Sequence, residues 1–241
     1  MDAHIKSNTY VPQISSSVIG FFDLPVKTCD DIYQRVLVVP HGIYLFQVYD
    51  DAIKTVIPGR PILWLKLLYI NRKMREEASI VLYGRNRFVF MDTIGSQTKL
   101  LQSFLQSIGP VNASLMSRIC ISLPIVKSVK DEPEKYALCE DDVDSLMLLQ
   151  QFTNLTTLET LLYSFNPIYT NEANQDAHHS QFIQGACSHI DTQLRITIPT
   201  LRKIIIVFHD MVPKNEMVEL MRRFLWMICQ TDKNDMVIRQ D

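Results

Sequence analysis

Apolar and polar residues alternate in two rhythms along this chain, and the changes of rhythm predict its elements. Between residues 25 and 38, Ile32, Tyr33, Val36 and Leu37 recur at helical spacing. Pro25 suits a first helical turn and Pro40 a stop, so a short helix is expected there. Residues 43–48 and 54–57 read as two short strands, with a turn at 49–52 between them. The breaker Pro58-Gly59-Arg60-Pro61 comes before a longer helix expected over 62–82. Its apolar stripe is Leu67, Ile70, Met74, Ala78 and Val81. Arg72 with Glu76, and Lys73 with Glu77, are spaced as i,i+4 pairs on its polar face, and Gly84 is expected to end it.

Beyond that point short apolar runs and helical stripes take turns. Strands are expected at 88–91, 119–123, 158–165 and 204–208. Helices are expected at 97–108, closed by Gly109-Pro110, and at 142–152, where acidic residues suit the start. Two more are expected at 180–194 and 214–229, the last with Met217, Leu220, Met221, Phe224, Leu225 and Ile228 as its stripe. The acidic stretch 131–142 reads as an exposed loop between strand and helix. Such alternation predicts βαβ units and a mainly parallel sheet in a mixed α/β fold. The approaches at 154–161 and 199–204 each carry a leucine before an apolar strand. In this they are similar to a degenerate leucine-rich repeat, though their spacing is loose. The expected organisation is a flexible tail over 1–18, a helical module over 19–92 and an irregular, leucine-rich-repeat-like α/β layer over 93–241.

Composition narrows the function classes. Hydrophobic residues are 47% and charged residues 21% of 241, so a packed core is expected. With 24 basic and 26 acidic residues the charge is balanced, which argues against nucleic acid or an anionic membrane as main partner. No apolar run approaches the roughly 18 residues of a membrane span. Residues 1–17 are polar, without the apolar stretch of a secretion signal, and the five cysteines are odd in number and widely spaced. An intracellular protein, cytoplasmic or nuclear, with free thiols is the expectation.

Two segments carry a family resemblance. Phe21-Phe22-Asp23-Leu24-Pro25 is followed by Asp31-Ile32-Tyr33, and Arg75-Glu76-Glu77-Ala78 runs into Leu82-Tyr83-Gly84-Arg85-Asn86-Arg87-Phe88. Together they resemble the filamentous-fungal F-box-like proteins, in which a Leu-Pro…Ile-Tyr helix opens the chain. The resemblance covers the first 92 residues or so. It implies a non-catalytic protein–protein interaction protein, with the substrate receptor of a cullin-type ubiquitin ligase as the role the family suggests. The adaptor subunit would then be held by Leu24, Pro25, Ile32, Val36 and Leu37. The chain departs from the family in having Lys27-Thr28-Cys29 where Glu-Ile-Arg is usual, which leaves open a stand-alone scaffold without adaptor binding. It is equally open whether Leu24, Ile32 and Leu37 dock a partner or pack on the helix over 62–82.

Other chemistry is sparse. The basic cluster Arg72, Lys73, Arg75, Arg85 and Arg87 contains Glu76 and Glu77 and reads as a solvated helix face and turn, with Gly84 and Asn86 taking unusual backbone angles. His178, His179, Cys187 and His189 are the one cluster of soft ligands, without the spacing of a zinc site, so no metal is expected. No nucleotide-binding or nucleophile motif occurs among only 7 glycines, and no cofactor is expected. His209-Asp210 follows the strand at 204–208, where α/β enzymes often place catalytic groups. Without a recognisable partner for either residue, the chain is read as not an enzyme.

Overall fold

The computed structural model describes residues 20–47, 52–59, 62–91, 97–129, 132–163, 166, 168, 177–209, 212 and 215–230. The expected tail over 1–18 and turn at 49–51 lie outside them. A turn of 3-10 helix, Phe21–Asp23, leads into α1, Val26–Leu37, with Pro25 as the capping residue. Strand β1, Ile43–Gln47, pairs antiparallel with β2, Ile53–Val56.

The single helix expected over 62–82 is two elements, a 3-10 helix Ile62–Tyr69 and α2, Arg72–Arg85. Asn71 separates them: its Oδ1 accepts from the Met74 N–H at 2.9 Å, satisfying a donor that would otherwise be orphaned at the start of α2. Met74, Ala78 and Val81 are buried as the stripe predicts, but Ile70 falls in the break and is 58% exposed. Gly84 does not end α2, which continues to Arg85. An added Cβ at Gly84 would lie 3.5 Å from the Leu115 carbonyl oxygen, an ordinary contact, so neither space nor backbone angle requires glycine there.

Strand β3, Phe88–Phe90, and α3, Gln97–Leu115, follow. The expected break in α3 falls at Gly109, whose φ of 75° suits glycine; Pro110 then opens a second helical segment. After β4, Arg118–Ser122, the acidic stretch read as a loop is instead largely β6, Glu132–Leu138, paired antiparallel with β5, Val126–Val129. Then come α4, Glu140–Leu149; β7, Thr157–Leu162; α5, Ala177–Thr197; and β8, Lys203–Phe208.

The expected closing helix is cut short. Helix α6 spans Asn215–Arg223, and Met227–Gln230 forms a further strand, β9. The chain reverses at Leu225, whose φ is 61°, and Trp226 is buried with its indole Nε1 donating to Asp191 Oδ1 at 2.7 Å. Pairing of β9 with the buried strand β8 overrides the helical periodicity of Phe224, Leu225 and Ile228.

The fold is mixed α/β with a mostly parallel sheet, ordered β2-β1-β3-β4-β7-β8-β9. Only β1–β2 is antiparallel in it. From β1 onward each crossover moves one strand in the same direction. With right-handed crossovers this stacks the helices on one face. The buried residues follow suit. Ile43, Phe88, Ile119, Leu158 and Ile204 face a large core, to which the buried apolar residues of all six described helices belong. Tyr44, Val89, Cys120, Leu161 and Ile205 alternate to the opposite face. The expected boundary near residue 92 lies outside the described residues, and the sheet continues from β3 before it to β4 after it.

The strand entries repeat locally. The N–H groups of Thr156 and Thr157 both donate to Ser117 O, and those of Arg202 and Lys203 both donate to Thr156 O, one strand further along. A buried residue, Leu155 or Leu201, stands two positions before each strand.

Candidate functional site

Helix α1 divides its residues sharply. Cys29, Tyr33 and Leu37 are buried along one line. The Tyr33 hydroxyl donates to Glu77 Oε2 on α2 at 3.0 Å, and its ring lies 5.5 Å from that of Phe21. Burial, reinforced by the hydrogen bond to Glu77 and its charge, raises the Tyr33 pKa above the ordinary phenol value. Leu37 therefore belongs to the core: it closes the buried line at the last residue of α1, with no surface left exposed for a partner.

Leu24 and Val36 are half-buried and also pack on that core. Pro25 is exposed, and Ile32 is half-buried without being part of the apolar packing around the core. Pro25, Ile32 and Val36 lie along one flank of α1 at helical spacing. At its N-terminal end Val26 is 80% exposed and Phe22 41%. Lys73 does not pair with Glu77 as its spacing suggested. Its Nζ stands 4.5 Å from the centre of the Phe22 ring, while Glu77 receives Tyr33.

The basic cluster is dispersed rather than solvated as one face. Arg72 pairs with Glu76 at 2.9 Å, as expected, and Arg75 Nε donates to Leu68 O. Arg85 and Arg87 instead line a cavity of about 330 Å³ at the N-terminal ends of β1, β3 and β4, together with Arg118. The Glu159 carboxylate, 3% exposed, is shared there: Arg87 Nε donates to Oε2 at 2.6 Å and Arg118 Nε donates to Oε1. Arg87 Nη2 also lies 3.8 Å from Cys120 Sγ. Burial works against the Arg87 charge, but Cys120 and Glu159 beside it prevail, and its pKa is raised. Burial pushes the Cys120 thiol up to about 12 despite the nearby guanidinium.

Asn86 was expected to take an unusual backbone angle, but its φ of −94° and ψ of 157° are ordinary extended values. The side chain is what matters. Its Oδ1 accepts from Val39 N at 2.8 Å, and its Nδ2 donates to Leu37 O and Leu82 O, each at 2.9 Å. Buried Asn86 thus ties the end of α1 to the end of α2. Sequence reasoning missed Glu159 altogether. The available signal was a lone carboxylate inside an apolar strand, which must find cationic partners when buried.

The remaining candidates separate. His209 lies against Tyr163, ring centres 5.2 Å apart, and Asp210 is outside the described residues. Cys187 is fully buried in the core, its thiol pushed up to about 12 by burial and by Asp191. His189, its pKa lowered by burial, lines a separate cavity beside Tyr136. The side chains of His178 and His179 lie outside the described residues. Among the described residues no three His, Cys, Asp or Glu side chains converge to hold a metal ion, and no helix is long and apolar enough to cross a membrane. No family model, curated protein or solved structure matches the chain.

Proposed function

We propose that the chain is a non-catalytic protein–protein interaction protein whose docking surface is the outer flank of α1 with the turn before it. The observation that carries this reading is Ile32. It is half-exposed on a helix whose buried line of Cys29, Tyr33 and Leu37 already anchors it. A partner can therefore cover Pro25, Ile32 and Val36 without displacing the core, as an apolar helix flank entering a groove requires. Val26 and Phe22 extend the apolar surface at the N-terminal end.

The partner that the Leu24-Pro25…Ile32-Tyr33 resemblance suggests is the adaptor of a cullin-type ubiquitin ligase. The α/β layer would then present the target, and other subunits would carry the transfer chemistry. The local repetition of the strand entries supports a repeat-like layer of this kind. Lys27, exposed beside this flank, favours the alternative of a scaffold without adaptor binding. Affinity capture of the tagged protein from a fungal extract, with mass spectrometry, tests the choice. Recovery of adaptor and cullin, lost on Ile32→Asp in a variant of unchanged circular dichroism, supports the receptor. Their absence with wild-type protein removes it and leaves the scaffold.

A further inference from the structure

The cavity where α2 ends has no part in docking by α1. Three arginines line it, Arg85, Arg87 and Arg118, and one carboxylate, Glu159, touches the guanidinium groups of two of them. Three fixed positive charges against one negative leave two positive charges around one small space.

The hydrogen-bond accounting points the same way. Each guanidinium has five N–H donors in a planar fork. Arg87 directs Nε at Glu159 and Nη2 at Cys120, and Arg118 directs Nε at Glu159. Arg85 makes no hydrogen bond or ion pair among the described residues. Among the described residues, Arg85 and the Nη groups of Arg118 are left for another acceptor. Glu159 acts as a positioning residue: by holding both Nε atoms it fixes the planes of Arg87 and Arg118 before any ligand arrives.

Two further features suit an anion. The carbonyls that end α2 would repel one, but two of the last four are taken, Leu82 O by Asn86 Nδ2 and Gly84 O by Ser117 Oγ, at 2.9 and 3.3 Å. At Gly42 an added Cβ would meet Val89 Cγ2 at 2.7 Å and come within 3.5 Å of Arg87 Nη1, so the missing side chain keeps the cavity wall beside the Arg87 fork low. The volume, about 330 Å³, is at the small end of ligand sites, with room for one tetrahedral oxyanion and a short substituent. Arg87 and Arg118 share one carboxylate and border one small cavity rather than an extended groove, so a polynucleotide backbone is a poor match.

We infer that this cavity binds a phosphate monoester dianion, gripped by Arg85, Arg87 and Arg118 and positioned by Glu159. Forked donors match phosphate oxygens in pairs, which gives geometric selectivity over chloride.

The test is calorimetric titration of the whole chain at constant ionic strength. One arm uses inorganic phosphate and the other N-acetyl-O-phosphoserine amide. The readout is repeated with Arg85→Met, chosen because Arg85 holds nothing else in place, and with Arg118→Met. Saturable binding weakened about tenfold or more by each substitution, in variants with wild-type circular dichroism, supports the site. A preference for the phosphoserine derivative then identifies a phosphorylated protein as the source, and equal affinity a free phosphate compound. No binding in either arm at about 10 mM ligand overturns the inference. So does binding indifferent to Arg85→Met and Arg118→Met. Adaptor capture through α1 reads a different surface and does not bear on this outcome.

Discussion

Arg87, just before β3, reaches over the Cys120 thiol to Glu159 on β7, its Nε donating to the buried carboxylate at 2.6 Å. With Arg118 held by the other oxygen, the interaction clamps three neighbouring strands on the face away from the helices. Removing one partner of a buried ion pair strands the other charge, at a cost of about 3–5 kcal/mol. Glu159→Ala is expected to lose about that much in urea unfolding, and Glu159→Gln less, because the amide oxygen still accepts from one arginine. A loss under about 1 kcal/mol for Glu159→Ala would show that the clamp contributes little beyond surface pairing.

Asn86 is the polar counterpart among the helices. Asn86→Ala would leave Val39 N, Leu37 O and Leu82 O without their side-chain partner in a buried place. Unsatisfied buried groups cost about 1–3 kcal/mol each. A destabilisation of about 3 kcal/mol or more is expected in chemical denaturation, with the ends of α1 and α2 losing hydrogen-exchange protection first. A change below about 1 kcal/mol would mean that water takes over all three bonds.

The fold class was legible because period tells helix from strand over long runs. Ile204 to Phe208 and Phe88 to Phe90 are short apolar runs between breakers, and they are strands. Met227 to Gln230 was not legible. Its residues extend the stripe of Met217 and Met221 at helical spacing, and only pairing with β8, a tertiary interaction, makes them a strand. The break at Asn71 was hidden by apolar residues on both sides, although an asparagine at a helix start was a usable signal. On α1 the helix was readable, but not which apolar residues face α2: Leu37 proves to be core and Ile32 does not. The basic cavity was illegible for a different reason. Arg85, Arg87, Arg118 and Glu159 come from separate elements, and only the parallel register of β3, β4 and β7 brings them together.

The buried thiols make an alkaline prediction. The Cys120 and Cys187 pKa values rise from an ordinary 9.0 to about 12, burial being the main cause. The folded chain keeps these protons where the unfolded chain releases them, so unfolding sheds protons at high pH. Their contribution to stability is full below pH 9 and is lost as pH rises toward about 12. The raised pKa of Tyr33 acts in the same direction. The urea midpoint should fall steadily across this window, and less steeply for Cys120→Ala with Cys187→Ala. A flat profile would contradict the burial of these thiols. At pH 8 exposed Cys229 should react with a maleimide while Cys120 and Cys187 stay unmodified until urea is added.

Leu225 stands in the left-handed region at φ 61° and is 83% exposed. That conformation costs a side-chain-bearing residue about 1–2 kcal/mol, and this side chain is too exposed to offset the cost by burial. Glycine relieves the strain but adds freedom to the unfolded chain, worth roughly half as much. Leu225→Gly is expected to stabilise by about 0.5–1 kcal/mol, raising the thermal midpoint by a few degrees. Leu225→Val should lower it. The opposite order would mean that the turn before Trp226 is not held in this geometry.

Helix α1 offers the sharpest contrast between two neighbouring apolar residues. Leu37 is completely buried in the core that α1 shares with α2, and Leu37→Ala is expected to cost about 2–5 kcal/mol. Ile32 flanks the same helix but does not join that packing, so Ile32→Asp removes little buried contact. Its cost should stay near 1 kcal/mol, much of it the lower helix propensity of aspartate and the remainder the partial loss of burial. Urea unfolding of the two variants side by side decides whether the outer flank is free for docking. If Ile32→Asp unfolds the chain as readily as Leu37→Ala destabilises it, the flank is part of the core and α1 has no surface to give a partner. If it leaves stability nearly unchanged, the same variant can be used for partner capture, where any loss of binding then reports the docking surface itself.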